Sequence, residues 1–129
     1  MKILKTILIL LLSMNLYSDK VYFINLQNGD VLKSPFLIQF GLSGKGVAPA
    51  GVEIANTGHH HLLINVDELD FTEPIPSSKQ HLHFGMGQTE TSLNLPIGKH
   101  KLQLVLGDKY HIPHSPPLFS EIIEITVIE

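Results

Sequence analysis

Three consecutive histidines open an apolar run in Asn56-Thr-Gly-His-His-His-Leu-Leu-Ile-Asn-Val-Asp67. Downstream come His81-Leu-His83, His100 and Tyr110-His-Ile-Pro-His114, so all eight histidines fall between His59 and His114. Imidazole is the commonest protein metal ligand and titrates near neutral pH. On an extended strand, residues i and i+2 point the same way, so His59 with His61, and His81 with His83, are each a potential ligand pair. The chain has no cysteine, which removes thiolate zinc sites and blue-copper ligation, and an all-imidazole set suits Cu(II), Zn(II) or Ni(II). The candidate ligands are therefore His59, His61, His81, His83, His111 and His114, and the expected cofactor is a copper or zinc ion. Met86 is a soft donor that suits Cu(I). A ligating imidazole must be neutral, so affinity is expected to fall as pH drops through about 6.5.

The elements that must position these residues read as short strands. Val21-Tyr22-Phe23-Ile24 is β-branched and aromatic and ends at the Asn28-Gly29-Asp30 turn. Val31-Leu32 continues briefly to Ser34-Pro35. Phe36 to Leu42 alternates, with Phe36, Ile38, Phe40 and Leu42 on one face. Ser43 to Gly51 is glycine-rich and reads as a loop. His60 to Val66 is the next strand. Its apolar parity carries His60, Leu62, Ile64 and Val66, and turns His59 and His61 to the opposite, outward face. Asp67 to Ser78 is an acidic, proline-bearing loop. Gln80–Phe84 and Thr89–Leu95 are short strands. His100, Leu102, Leu104 and Leu106 share one face of a longer one, and Ser120 to Glu129 closes the chain with Ile123, Ile125 and Val127 alternating. His60 and His100 have core parity and read as buried imidazoles bonded to backbone rather than as ligands.

No helical period appears after the first eighteen residues. About seven short strands joined by glycine and proline turns predict an all-β fold, a single antiparallel β-sandwich of immunoglobulin-like topology, with a barrel as the alternative. In that topology Phe36–Leu42, His60–Val66, Gln80–Phe84, Thr89–Leu95, Lys99–Leu106 and Ser120–Ile128 are strands B to G. The B–C, D–E and F–G connections then gather at one end, which brings the 59–61, 81–83 and 111–114 groups to a common rim. His100 lies at the other end. Strands C and D belong to different sheets of such a sandwich, so a shared ion is expected only where the strands fray into loops.

Composition narrows the function. The 129 residues suffice for one core. Lys2 and Lys5 precede Ile7-Leu8-Ile9-Leu10-Leu11-Leu12, and Ser13, Asn15 and Ser18 follow. This is the basic, apolar and polar order of a secretory signal, too short in its apolar part to span a bilayer. The expected division is a signal peptide over 1–18 and a β-sandwich domain over 19–129, periplasmic or secreted, with no stable membrane span after cleavage. Cleavage takes the formal charge from −3 to −5, and every cation is a lysine. Without arginine or a basic patch, nucleic acid is not an expected partner. Neither a Gly-x-Ser-x-Gly elbow nor a Gly-Lys-Ser/Thr phosphate loop is present.

The run from Asn56 to Asp67 resembles family 4399 of the domains of unknown function. The likeness continues through His81-Leu-His-Phe-Gly85, Gly87-Gln-Thr-Glu90, Gly98-Lys-His100, Leu102-Gln-Leu-Val-Leu-Gly-Asp108 and His111-Ile-Pro-His114, with Ser34-Pro-Phe36 and Gly46-Val-Ala-Pro-Ala50 upstream. The resemblance implies a small exported bacterial domain of uncharacterised activity. Against the family pattern, Lys109 stands where a histidine is common and Ser115 where an aspartate is common. That weakens the 107–118 loop as a ligand source, so His111 and His114 are expected to matter less than the two pairs.

The leading expectation is an exported β-sandwich domain holding a copper or zinc ion at a rim of histidines. The alternative is a non-enzymatic binding or structural module of the cell envelope whose rim recognises protein or a cell-wall ligand without metal. An enzyme ranks third, since no bridging histidine or ligand aspartate can be assigned. The start of the chain gives a direct check: mass spectrometry of the exported fraction should find cleavage near Ser18, and an intact Met1 start would refute it.

Overall fold

The computed structural model describes residues 18–129, and among them the fold is all-β with no helix. The proposed signal segment, 1–18, lies outside the described residues apart from Ser18. Within them no helix is long and apolar enough to cross a membrane. The strands are β1 (Lys20–Phe23), β2 (Val31–Lys33), β3 (Phe36–Ser43), β4 (Gly46–Val47), β5 (Thr57–Ile64), β6 (His81–His83), β7 (Glu90–Leu93), β8 (Gly98–Gly107) and β9 (Ile123–Ile128).

Two sheets face one another in a sandwich-like arrangement. The smaller has the order β1-β3-β7, all antiparallel. The larger runs β2-β9-β8-β5-β4, with β6 sharing the free edge of β5 beside β4. Alternation explains the core. Phe36, Ile38 and Phe40 of β3 turn inward against Leu62 and Ile64 of β5, Leu102, Leu104 and Leu106 of β8, and Ile123, Ile125 and Val127 of β9. Leu62, Leu102, Leu104 and Leu106 are fully buried, and burying each such side chain contributes about 1.5–3 kcal/mol.

The larger sheet departs from the sequence expectation in three ways. The 43–51 stretch, read as loop, contributes β4, which pairs in parallel with β5. β2 is also parallel to its neighbour β9, so the sandwich is not purely antiparallel. Most consequentially, β6 lies in the same sheet as β5, antiparallel to it, with His61 opposite His83 and Leu63 opposite His81. A three-residue edge strand carries too few inward apolar side chains to be drawn to the other sheet, and the adjoining edge of β5 is open beyond β4.

The outer face of the larger sheet is covered. Leu63 of β5 and Val105 of β8 pack with Ile75, and Val66, Leu69 and Phe71 extend this second cluster. The Phe71 ring lies 5.1 Å from that of Phe119. The acidic 67–78 loop therefore folds back over the sheet, and outward parity on β5 does not mean exposure.

His100 closes the far end. Its Nε2 is 2.8 Å from the Pro96 carbonyl and its Nδ1 is 3.0 Å from Asn65 Nδ2. A carbonyl only accepts, so Nε2 carries the hydrogen and Nδ1 receives the amide proton. Asn65, in the left-handed region at φ 54°, also accepts from Lys101 N through Oδ1 at 2.8 Å. This is the structural imidazole that core parity predicts. Six residues of β8 lie between it and Gly107, a rise of about 23 Å along the strand. Replacing His100 by Ala should cost about 1–3 kcal/mol in denaturant unfolding and leave the other histidines undisturbed; an unchanged unfolding midpoint would contradict the role.

Candidate metal centre

The outer face of β5 presents His59 and His61, and the pairing of β6 sets His83 directly across from His61. On the other side β8 places Gly107 opposite His59 and Val105 opposite His61. The fourth member comes from the loop after β8. Asp108 Oδ1 accepts from Tyr110 N at 2.8 Å and Ile112 N at 3.0 Å, and Asp108 O accepts from His111 N at 2.9 Å. This tight loop holds His111 in the left-handed region, φ 65°, and turns its ring over the strand. Ile75 N bonds the His111 carbonyl at 2.8 Å, which ties the covering loop to the same residue.

Four ring nitrogens converge. His59 Nε2 lies 3.0 Å from His61 Nε2, 3.1 Å from His111 Nδ1 and 3.2 Å from His83 Nε2. Ligand atoms of the four residues lie within 4.8 Å of one another. A neutral ring nitrogen offers either one hydrogen or one lone pair, so His59 Nε2 cannot satisfy three nitrogen neighbours by hydrogen bonding. A shared ion satisfies all of them. Around an ion bound at 2.0–2.1 Å, tetrahedral ligands stand about 3.3–3.4 Å apart. Square-planar ligands stand about 2.9 Å from two neighbours and about 4.1 Å from the third. The three distances from His59 Nε2 fall between these values, and the four ligand atoms together lie within 4.8 Å, so the set could close around one ion.

Two glycines make room for the rings. A Cβ on Gly107 would stand 2.8 Å from His61 Nε2, and one on Gly85 would stand 2.2 Å from His83 Cε1. Neither glycine has a left-handed φ, so the requirement is space alone. From the sequence, Gly85 reads as part of the Gly85-Met86-Gly87 turn and Gly107 as the start of a long loop, and neither reading assigns them the space they leave for the rings. The signal was there in a glycine two residues beyond a candidate ligand, and in another ending a long strand.

Of the six histidines singled out from the sequence, His59, His61, His83 and His111 meet. His81 shares the parity of His83 but sits two pairs further along, opposite Leu63, with Nδ1 2.8 Å from Ser78 Oγ. His114 Nε2 is 3.0 Å from the Thr57 carbonyl, at the start of β5. The 107–118 loop thus brings His111 into the cluster, because Asp108 shapes the turn regardless of what stands at 109 and 115. A cleft of about 320 Å³ adjoins the His59 side, and the 2.7 Å ion pair of Lys109 with Glu53 lies on its wall.

Burial and repulsion within the cluster hold His59, His61 and His83 toward the neutral form. Burial pushes His59 down to about 4, helped by repulsion from His83 and His111 and partly opposed by Asp108. Burial, then repulsion from His59, His83 and His111, takes His61 down to about 3. His83 is lowered as well, by burial first and His111 second. His60, on the core side against Phe40, is lowered to about 4 by burial. The neutral form that a metal requires therefore survives well below the ordinary histidine range, and the expected loss of affinity near pH 6.5 moves to more acid pH.

The family model described as Domain of unknown function (DUF4399) matches residues 38–128. No curated protein matches the chain significantly. Over 89% of this chain, the fold is similar to part of an endo-β-1,4-mannanase from Thermotoga petrophila, at 14% identity and a TM-score of 0.54. The chain spans 21% of that enzyme's length, and the likeness is one of fold.

The buried imidazoles also set a pH dependence. His59, His60 and His61 have folded pKa values below the unfolded value of about 6.5. Between those values the unfolded chain binds protons that the native one does not, so stability falls as pH falls below 6.5. Each pH unit costs about 1.4 kcal/mol per histidine, or about 4 kcal/mol for the three. Urea unfolding of chelator-treated protein at pH 7.5 and 5.5 should show a loss of that order, and equal midpoints would refute neutral burial.

Proposed function

We infer that this chain, which belongs to the DUF4399 family, is a β-sandwich domain that binds one divalent ion of the zinc or copper class. The ligands are His59 Nε2, His61 Nε2, His83 Nε2 and His111 Nδ1. The observation that carries the reading is the set of three nitrogens at 3.0–3.2 Å around His59 Nε2, a spacing that hydrogen bonds cannot satisfy and a shared ion can. Imidazole suits both metals.

Two further parts of the reading have independent support. The immunoglobulin-like topology is supported by the orders β1-β3-β7 and β9-β8-β5, which correspond to strands A-B-E and G-F-C of that fold. β6 then occupies the place of the extra C′ strand of the variable type, beside C. An exported location, periplasmic or secreted, is supported by the order of charge and apolarity over residues 1–18. In such a setting a cysteine-free, all-nitrogen site is insensitive to the redox state of the compartment.

A metal held mainly by the folded state stabilises that state by mass action, by about 2.7 kcal/mol at an ion concentration a hundredfold above Kd. Untagged protein should carry close to one equivalent of zinc or copper by elemental analysis, and chelation should lower its unfolding midpoint. Gly107→Ala, which sets a methyl against His61 Nε2, should abolish uptake while circular dichroism still reports a β fold. Wild-type protein with neither metal nor measurable affinity for Zn(II) or Cu(II) would overturn the reading.

A further inference from the structure

The four histidines are held very differently. His59 is 0% exposed and His61 1%; both rings are shut between the sheet and the loops above it. His111 is half-buried, and its backbone is fixed by Asp108 on one side and Ile75 on the other. His83 is exposed. Its main chain is nonetheless secure, since β6 pairs with β5, Phe84 N bonds His60 O at 3.1 Å, and Gly85 O accepts from Ala50 N at 2.8 Å. What is free at His83 is the ring. The ring lies over Gly85, in the space that a Cβ would fill, and its one hydrogen-bond-range neighbour among the described residues is His59 Nε2. Rotation about the side-chain bonds would carry it into solvent without moving the strand.

Resting on the metal reading above, we propose that His83 is an exchangeable ligand. His59, His61 and His111 form a three-histidine platform that keeps the ion, and the fourth position opens toward solvent to admit a small monodentate donor. The exchange is a simple substitution. The metal bond to His83 Nε2 breaks, the imidazole keeps its lone pair, and a lone pair of the incoming water, anion or free imidazole takes its place. Three protein ligands with one open position is the arrangement of zinc sites that bind exogenous groups, whereas four fixed ligands make a closed, structural site. The burial gradient thus assigns the site to the open class, with the outside donor approaching from the Gly85 side.

Co(II) is the probe, because its visible bands report coordination directly. His83→Ala and His83→Gln are both expected to fold, the position being exposed. Both should retain one equivalent of Co(II), and their bands should shift when azide or imidazole is added. Wild-type protein should give the same shift only at higher donor concentration, since the donor must displace His83. His59→Ala and His61→Ala should take up no Co(II) at the same concentrations. Loss of the ion from His83→Ala as complete as from His59→Ala would overturn the proposal, and so would bands in both His83 variants that azide and imidazole leave unmoved. A wild-type protein that takes up no ion at all would instead overturn the metal reading on which this one rests.

Discussion

An extended chain turns successive side chains to opposite faces, and three adjacent histidines in β5 meet that rule where both faces are closed. His60 enters the core against Phe40, with ring centroids 5.2 Å apart, and neither of its ring nitrogens has a partner. His59 and His61 point the other way and are buried by loops. Burial disfavours charge on all three, so near neutral pH the strand carries them as uncharged but polar side chains. An unsatisfied buried polar group costs about 1–3 kcal/mol, and the sandwich core must offset that at His60. A one-residue slip of β5 would instead turn Leu62 and Ile64 out of the core. The register of β5 with β8 is thereby fixed, and the ligand geometry follows from the register.

The rings are aimed by packing more than by hydrogen bonds. Metal-bound histidines usually donate the second ring hydrogen to a carbonyl or carboxylate. His59 Nδ1 and His61 Nδ1 are buried with no such acceptor. Their orientation comes from the space left by Gly107, from His83 across the strand pair, and from the loop that carries His111. The same carbonyl of His111 that accepts from Ile75 N links the site to the small outer cluster of Leu63, Ile75 and Val105. Ligand geometry and loop packing therefore share one residue.

Much of this was legible in the residues. Period-two alternation located β3, β5, β8 and β9 to within a few residues, because both faces of the core are made by strictly alternating Leu, Ile, Val and Phe. The histidines were legible as types, and the parity of His59, His61 and His100 follows from spacing. What spacing does not encode is which edge a three-residue strand chooses. Placing Gln80–Phe84 in the other sheet made a shared ion with His59 and His61 a matter of frayed ends. The pairing of His83 with His61 instead brings the candidate ligands together within regular sheet. Nor does composition reveal cover: a proline-bearing acidic loop reads as solvated, yet Ile75 and Phe71 bring it down onto the outer face.

His111 shows the same limit from the opposite direction. Lys109 and Ser115 argued against the loop as a ligand source, on the premise that a loop contributes in proportion to its donors. The turn is instead made by Asp108, whose side chain takes two backbone hydrogens and whose carbonyl takes a third. That device needs neither position 109 nor 115. It also explains why a β-unbranched, polar side chain occupies a left-handed site where glycine would be easier: a glycine there would satisfy the backbone and leave the fourth nitrogen missing. The backbone strain at His111, of order 1–3 kcal/mol for a non-glycine residue in that region, is borne by a residue whose ring completes the cluster.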